Sequence, residues 1–152
     1  MIFVVDASVA VLWFVEEPGH RKAVAIAENP NRLIAPDLIF PEVGNVLRRK
    51  VRSGLIAESQ AMISIQNLGR AFTRIIPSQA LIDDAFAMAS RLDHSAYDVV
   101  YLACALREPG SVLVTIDEKF RAKAINAGFG AHILSLEAAH ARFETGQEDR
   151  NG

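Results

Sequence analysis

Cysteine is nearly missing from this 152-residue chain, and the single thiol, Cys104, rules out a disulfide framework and a thiolate zinc site. It falls in the apolar run 99–106, which reads as a buried helix where a thiol is a small core residue. Long hydrophobic stretches are missing too. The apolar start, residues 1–15, is interrupted by Asp6, is too short to span a bilayer and has no basic flank of the signal-peptide kind, so a cytoplasmic location is expected. No G-x-G-x-x-G follows the first strand-like segment and no Walker sequence occurs, which removes most of the case for a nucleotide cofactor. Positive charge is not in excess. With 16 Lys and Arg against 18 Asp and Glu, the net charge is −2, so contact with phosphate would require a local basic patch. Aromatics make up only 7% and do not interleave with basic residues as in single-strand binders that stack bases. The four histidines, His20, His94, His132 and His140, show neither metal-ligand spacing nor a neighbouring nucleophile, and none is assigned chemistry.

What is present is a hydrophobic content of 51% with 22% charged residues, enough to bury the core of one globular domain. That domain is placed at residues 1–143, and the polar segment 144–152 is expected to fray. Short β-branched runs at 2–5, 33–35, 74–76, 112–115 and 132–134 read as strands, and amphipathic stretches between them read as helices. A helix from about residue 20 should stop at Asn29–Pro30. Ser8 is a plausible N-cap, and Ser95-Ala96-Tyr97-Asp98 has the form of a capping box. The stretch 57–72 is expected to be a helix with Met62, Ile65 and Leu68 inward, and residues 78–92 another helix. Strand and helix alternate throughout. The fold class is therefore three-layer α/β: a central parallel sheet of four to five strands with helices on both faces.

Four acids occupy the junctions. Asp6 and Asp117 follow strands, and Glu42 and Asp98 lie in first helical turns, all of which open at the carboxyl edge of a parallel sheet. Each alone has an ordinary alternative: Asp6 as a turn cap, Asp117 as an N-cap, Glu42 against a helix dipole, Asp98 as the capping-box partner of Ser95. Together they are a liability, since two unit charges about 4 Å apart repel by roughly 4 kcal/mol at an effective dielectric near 20. A hard cation such as Mg²⁺ or Mn²⁺ would turn that liability into a binding site. Asn45 shares a helix face with Glu42, and Arg49 and Arg52 continue the same line. Arg48, Arg49, Lys50 and Arg52 form the densest basic run, suited either to RNA phosphates or to a solvated helix end. Asp37 is placed near the rim of the site, whereas Asp83, Asp84 and Asp93 are read as solvated.

The segments Val4-Val5-Asp6-Ala7-Ser8, Ala35-Pro36-Asp37-Leu38-Ile39-Phe40-Pro41-Glu42-Val43-Gly44-Asn45-Val46-Leu47, Tyr97-Asp98-Val99-Val100-Tyr101-Leu102-Ala103 and Leu113-Val114-Thr115-Ile116-Asp117-Glu118-Lys119-Phe120 resemble, in order and spacing, the successive motifs of PIN-domain ribonucleases. The size and the Glu-x-x-Asn helix are similar to those of VapC toxins of bacterial toxin–antitoxin pairs. The resemblance implies a PIN-like fold and a Mg²⁺- or Mn²⁺-dependent endoribonuclease whose acidic pocket is formed by Asp6, Glu42, Asp98 and Asp117. It also implies that Ser8 and Thr115 hydrogen-bond carboxylates or metal-bound waters and that Asn45 orients Glu42 or touches substrate. The partners it implies are RNA, a cognate small antitoxin and a second copy in a homodimer, with Trp13, Phe14, Phe40 and Leu55 as candidates for an antitoxin groove. Ser8 as an N-cap, Thr115 as strand-end packing and Asn45 on a solvated face remain the competing readings. Two other classes compete with the enzyme. A phosphoacceptor receiver domain would need paired acids after the first strand and a late lysine, both missing here. A noncatalytic RNA- or antitoxin-binding module has no such mark against it.

Overall fold

The first strand sets the frame for the rest. β1 (Ile2–Val5) is a β-branched and aromatic run with Phe3, Val4 and Val5 buried, as a central strand covered on both faces requires. In the computed structural model, which describes residues 1–28 and 32–151, β1 is flanked by β2 (Arg32–Pro36) and β4 (Ser111–Thr115), with β3 (Arg74–Ile76) and β5 (Ile133–Ser135) outside them. All pairings are parallel and the order is β3-β2-β1-β4-β5. The chain builds outward from β1 through β2 to β3, then returns to the other side of β1 for β4. The strand order therefore reverses between β1 and β4, where open parallel sheets place their ligands.

The helices surround this sheet: α1 (Ala7–Ala10), α2 (His20–Glu28), α3 (Ile39–Arg52), α4 (Glu58–Leu68), α5 (Ile82–Leu92), α6 (Ala96–Arg107), α7 (Glu118–Ala124) and α8 (Leu136–Asn151). In α6 every residue from Val99 to Ala105, Cys104 included, is buried, and the helix lies against β1, β2 and β4. In α3, Ile39, Val43 and Leu47 recur at four-residue spacing and are buried, which turns Glu42 and Asn45 away from the core. Pro41 is tolerated because it sits in the first turn, whose N–H groups have no intrahelical partner.

Several local expectations are corrected. The cap of α1 is Asp6, whose carboxylate accepts from Val9 N; Ser8 is inside the helix and bonds Asp6 instead. No capping box forms at Ser95, because the Asp98 side chain turns to His94. Of the inward positions expected in α4, Leu68 is buried, whereas Met62 and Ile65 are exposed and Ala61 and Ser64 are buried in their place. Residues 78–80 form a separate 3₁₀ turn before α5. β5 starts one residue after the predicted His132, and α8 runs past residue 143. The predicted stop at Asn29–Pro30 lies outside the described residues.

The turn between α5 and α6 delivers Asp98 to the sheet edge. It closes on Asp93, whose φ of 49° and ψ of 56° are left-handed, a conformation that side chains other than glycine adopt at a cost. Asp93→Gly is expected to leave stability unchanged or raise it by about 1 kcal/mol, and Asp93→Val to lower it by about 1–2 kcal/mol. Denaturant midpoints of the two variants check this.

Candidate active site

Register brings the first two groups together. Val5 pairs with Val114, so Asp6 faces Thr115 at the carboxyl ends of adjacent strands. Thr115 Oγ1 donates to Asp6 Oδ2 at 2.5 Å, while Ser8 Oγ (2.6 Å) and Val9 N (3.1 Å) donate to Asp6 Oδ1. Thr115 is fully buried, and its hydroxyl also accepts from Asp117 N at 3.0 Å. Ile116 N in turn donates to Ser8 Oγ at 3.3 Å. Ser8 and Thr115 therefore cross-link the two strand ends through one carboxylate. Asp117 caps α7, its Oδ1 accepting from Phe120 N at 3.0 Å.

The other two acids come from helices. Asp98 Oδ2 lies 2.7 Å from His94 Nε2, and ligand atoms of His94, Asp98 and Asp117 all fall within 4.8 Å of one another. Glu42 and Asp98 line a cavity of about 370 Å³ together with Asn45, Arg49 and Tyr97. Asp98 is the common member: its charge raises the proton affinity of both Asp6 and Glu42, and Asp6 also acts on Glu42. Burial, with that repulsion added, pushes the Glu42 carboxyl up to about 7. Burial pushes Asp6 up to about 6 despite the three donors that pull the other way. Tyr101 stands beside Glu42, and its hydroxyl is driven above its ordinary range by burial and by the Glu42 and Asp6 charges. It pulls slightly against the rise at Glu42, yet makes no well-formed hydrogen bond there. Glu42 Oε1 and the Tyr101 hydroxyl are both buried without a partner among the described residues.

That orphaned oxygen decides whether a cation fits. A carboxylate has about four acceptor positions, and here Asp6 uses three, Asp117 one and Asp98 one, with Glu42 Oε1 using none. All four acids keep unused lone pairs, and carboxylate oxygens suit Mg²⁺ or Mn²⁺; the group whose ligand atoms converge among the described residues is His94, Asp98 and Asp117.

Of the remaining expectations, Asn45 and Arg49 reach the cavity, while Arg48 and Arg52 are exposed and do not line it. Asp37 is not a rim acid, since its carboxylate is engaged by Ser78 N and Oγ. Trp13 and Phe14 pack against the core, and Phe40 and Leu55 are exposed. Three residues at the site escaped the sequence reading: His94, Tyr97 and Tyr101. All three lie within four residues of Asp98 in the chain, and their nearness to that acid is the one signal that could have marked them.

A family profile described as PIN domain matches residues 3–126. The chain belongs to the PIN-domain family. Its relatives include Ribonuclease VapC3 of Pyrobaculum aerophilum, 32% identical over 125 residues that cover 81% of this chain and 95% of that protein. Among solved structures, PAE2754 of Pyrobaculum aerophilum superposes with a TM-score of 0.69 at 22% identity, covering 95% of this chain and 96% of that one. VapC20 of Mycobacterium tuberculosis, a toxin that cleaves the sarcin-ricin loop, superposes with a TM-score of 0.64 at 21% identity, covering 85% and 96%. The PIN-like parallel sheet predicted from the sequence is thus the fold, with five strands.

Because the folded-state values of Asp6 (about 6, against 3.8) and Glu42 (about 7, against 4.5) are raised, the folded chain binds more protons than the unfolded one. Their contribution to metal-free stability should therefore be fully present below about pH 4 and be lost as pH rises through 6 and 7. Thermal melts in EDTA should show Glu42→Gln gaining on the unaltered chain as pH rises from about 5 to about 8. A constant difference across that range would contradict the raised Glu42 value.

Proposed function

We propose that this PIN-domain protein is a divalent-metal-dependent endoribonuclease, the VapC-type toxin of a toxin–antitoxin pair. The observation that carries the metal dependence is the partnerless, buried Glu42 Oε1 within the field of Asp98 and Asp6. The VapC3 relative supports RNA as substrate. Asp6, Asp98, Asp117 and Glu42 would hold Mg²⁺, or Mn²⁺ in its place, and the cation would supply positive charge at the scissile phosphate and lower the pKa of the attacking water.

The chain's own residues do the rest. Ser8 and Thr115 lock Asp6 in one orientation, and the backbone of α7 locks Asp117. Arg49 and Asn45, on the cavity wall beside Glu42, take the RNA backbone, with the exposed Arg48 and Arg52 extending the positive track along α3. Tyr97, 66% exposed at the same cavity, offers a face on which a base can stack. The antitoxin would cover exposed apolar side chains of α3, α4 and the turn between them, Phe40, Leu55, Met62 and Ile63, the last of which is 58% exposed. A homodimer and a cytoplasmic setting complete the reading; among the described residues no helix is long and apolar enough to cross a membrane.

Purified, antitoxin-free protein should cut a total RNA pool into discrete products with Mg²⁺ or Mn²⁺. EDTA should abolish cleavage, and Asp6→Asn or Asp98→Asn should slow it by about 100-fold or more. Equal cleavage by Asp98→Asn, or cleavage in EDTA, would defeat the reading, and metal binding without any cleavage would point to a noncatalytic RNA- or antitoxin-binding module.

A further inference from the structure

We propose that His94 is a positioning residue of this centre: its Nε2–H donates to Asp98 Oδ2 and fixes that carboxylate so that Oδ1 is presented to the cation. The inference rests on the metal-dependent reading above and adds to it a residue outside the four acids.

Asp98 is the most weakly tethered of the three acids that accept hydrogen bonds. Asp6 is held by three donors and Asp117 by the α7 backbone, whereas among the described residues His94 is the one protein donor to the Asp98 carboxylate. The Asp98 side chain is 39% exposed, so a lone carboxylate there would rotate and present no fixed oxygen. His94, in contrast, is held rigidly. Its side chain is 13% exposed, and its ring stacks on Phe120 at 4.8 Å between centroids with 26° between planes. Phe120 is buried in α7, the helix that Asp117 caps. The same helix reaches the preceding residue, since Lys123 Nζ donates to the Asp93 carbonyl at 2.6 Å. Two consecutive residues of the α5–α6 turn are thus pinned to α7, and the separation of Asp98 from Asp117 is set by this clamp.

A histidine beside two carboxylates could also bind a cation directly, but a nitrogen 2.7 Å from Asp98 Oδ2 is already committed to that oxygen. An ionised carboxylate only accepts, so the proton at this contact sits on Nε2. The two roles differ in their consequences. An orienting donor affects Mg²⁺ and Mn²⁺ alike and can be replaced by an amide, whereas a nitrogen ligand favours Mn²⁺ selectively.

The test compares His94→Phe, which keeps a ring against Phe120 without the donor, with His94→Gln, which restores an N–H. Melting of the metal-free variants first verifies folding, and calorimetry with Mn²⁺ and with Mg²⁺ then gives the two dissociation constants. Both should rise by about 10-fold in His94→Phe and return to within about threefold of the original in His94→Gln. Unchanged binding by a folded His94→Phe would overturn the inference, as would a loss confined to Mn²⁺ that glutamine does not rescue. If the unaltered chain bound neither ion, the metal-dependent reading itself would fail, and this inference with it.

Discussion

Electrostatic repulsion among carboxylates held in a partly dehydrated cleft is the constraint on which the account of this protein turns. The Asp98 charge raises the proton affinity of Asp6 and of Glu42, Asp6 adds to the rise at Glu42, and Asp98 and Asp117 lie close enough to share a ligand. A pair of such charges costs about 4 kcal/mol at 4 Å and an effective dielectric near 20, a large fraction of the net stability of a domain this size. Among the described residues no lysine or arginine pairs with Asp6, Glu42, Asp98 or Asp117. Arg49 is the one basic side chain lining the cavity among the described residues, and it forms no ion pair there with either acid. The chain meets the cost with rigid neighbours and open lone pairs, an arrangement suited to a cation of high charge density.

Topology makes the arrangement feasible. The reversal of strand order between β1 and β4 opens a crevice at their carboxyl ends, and the parallel register places Asp6 and Thr115 across it. The hydroxyls of Ser8 and Thr115 then serve two purposes, orienting Asp6 and tying the β1 and β4 exits together. On the helical side, α6 is buried along seven successive residues, so the position of Asp98 is fixed from below by core packing and from above by the α5–α6 turn. Loss of either support would loosen the centre without removing any acid, a distinction between building the pocket and populating it.

Much of this was legible in the sequence because it depends on local pattern. Short β-branched runs ending in an acid marked β1 and β4, and the stripe Ile39, Val43, Leu47 set the face on which Glu42 and Asn45 project. The alternation of strand and helix gave the parallel sheet. What escaped notice depends on tertiary contact. Ser95 and Asp98 have the spacing of a capping box, yet a histidine brought to 2.7 Å by stacking on Phe120 competes for the carboxylate. Met62 and Ile65 looked inward by hydrophobicity, but the helix turns small residues, Ala61 and Ser64, toward α3 so that the backbones can approach. His94 carried no metal-ligand spacing of its own, because its significance comes through Asp98.

The central claim, that the acids are a cation site kept partly protonated when empty, is tested most directly by counting protons. Calorimetric titration of Mn²⁺ in buffers of different ionisation enthalpy measures the number released on binding. With Glu42 pushed up to about 7 and Asp6 to about 6, binding at pH near 6.5 should release about one proton, falling toward zero by about pH 8.5. Binding with no proton release at either pH, or no binding at all, would contradict the account.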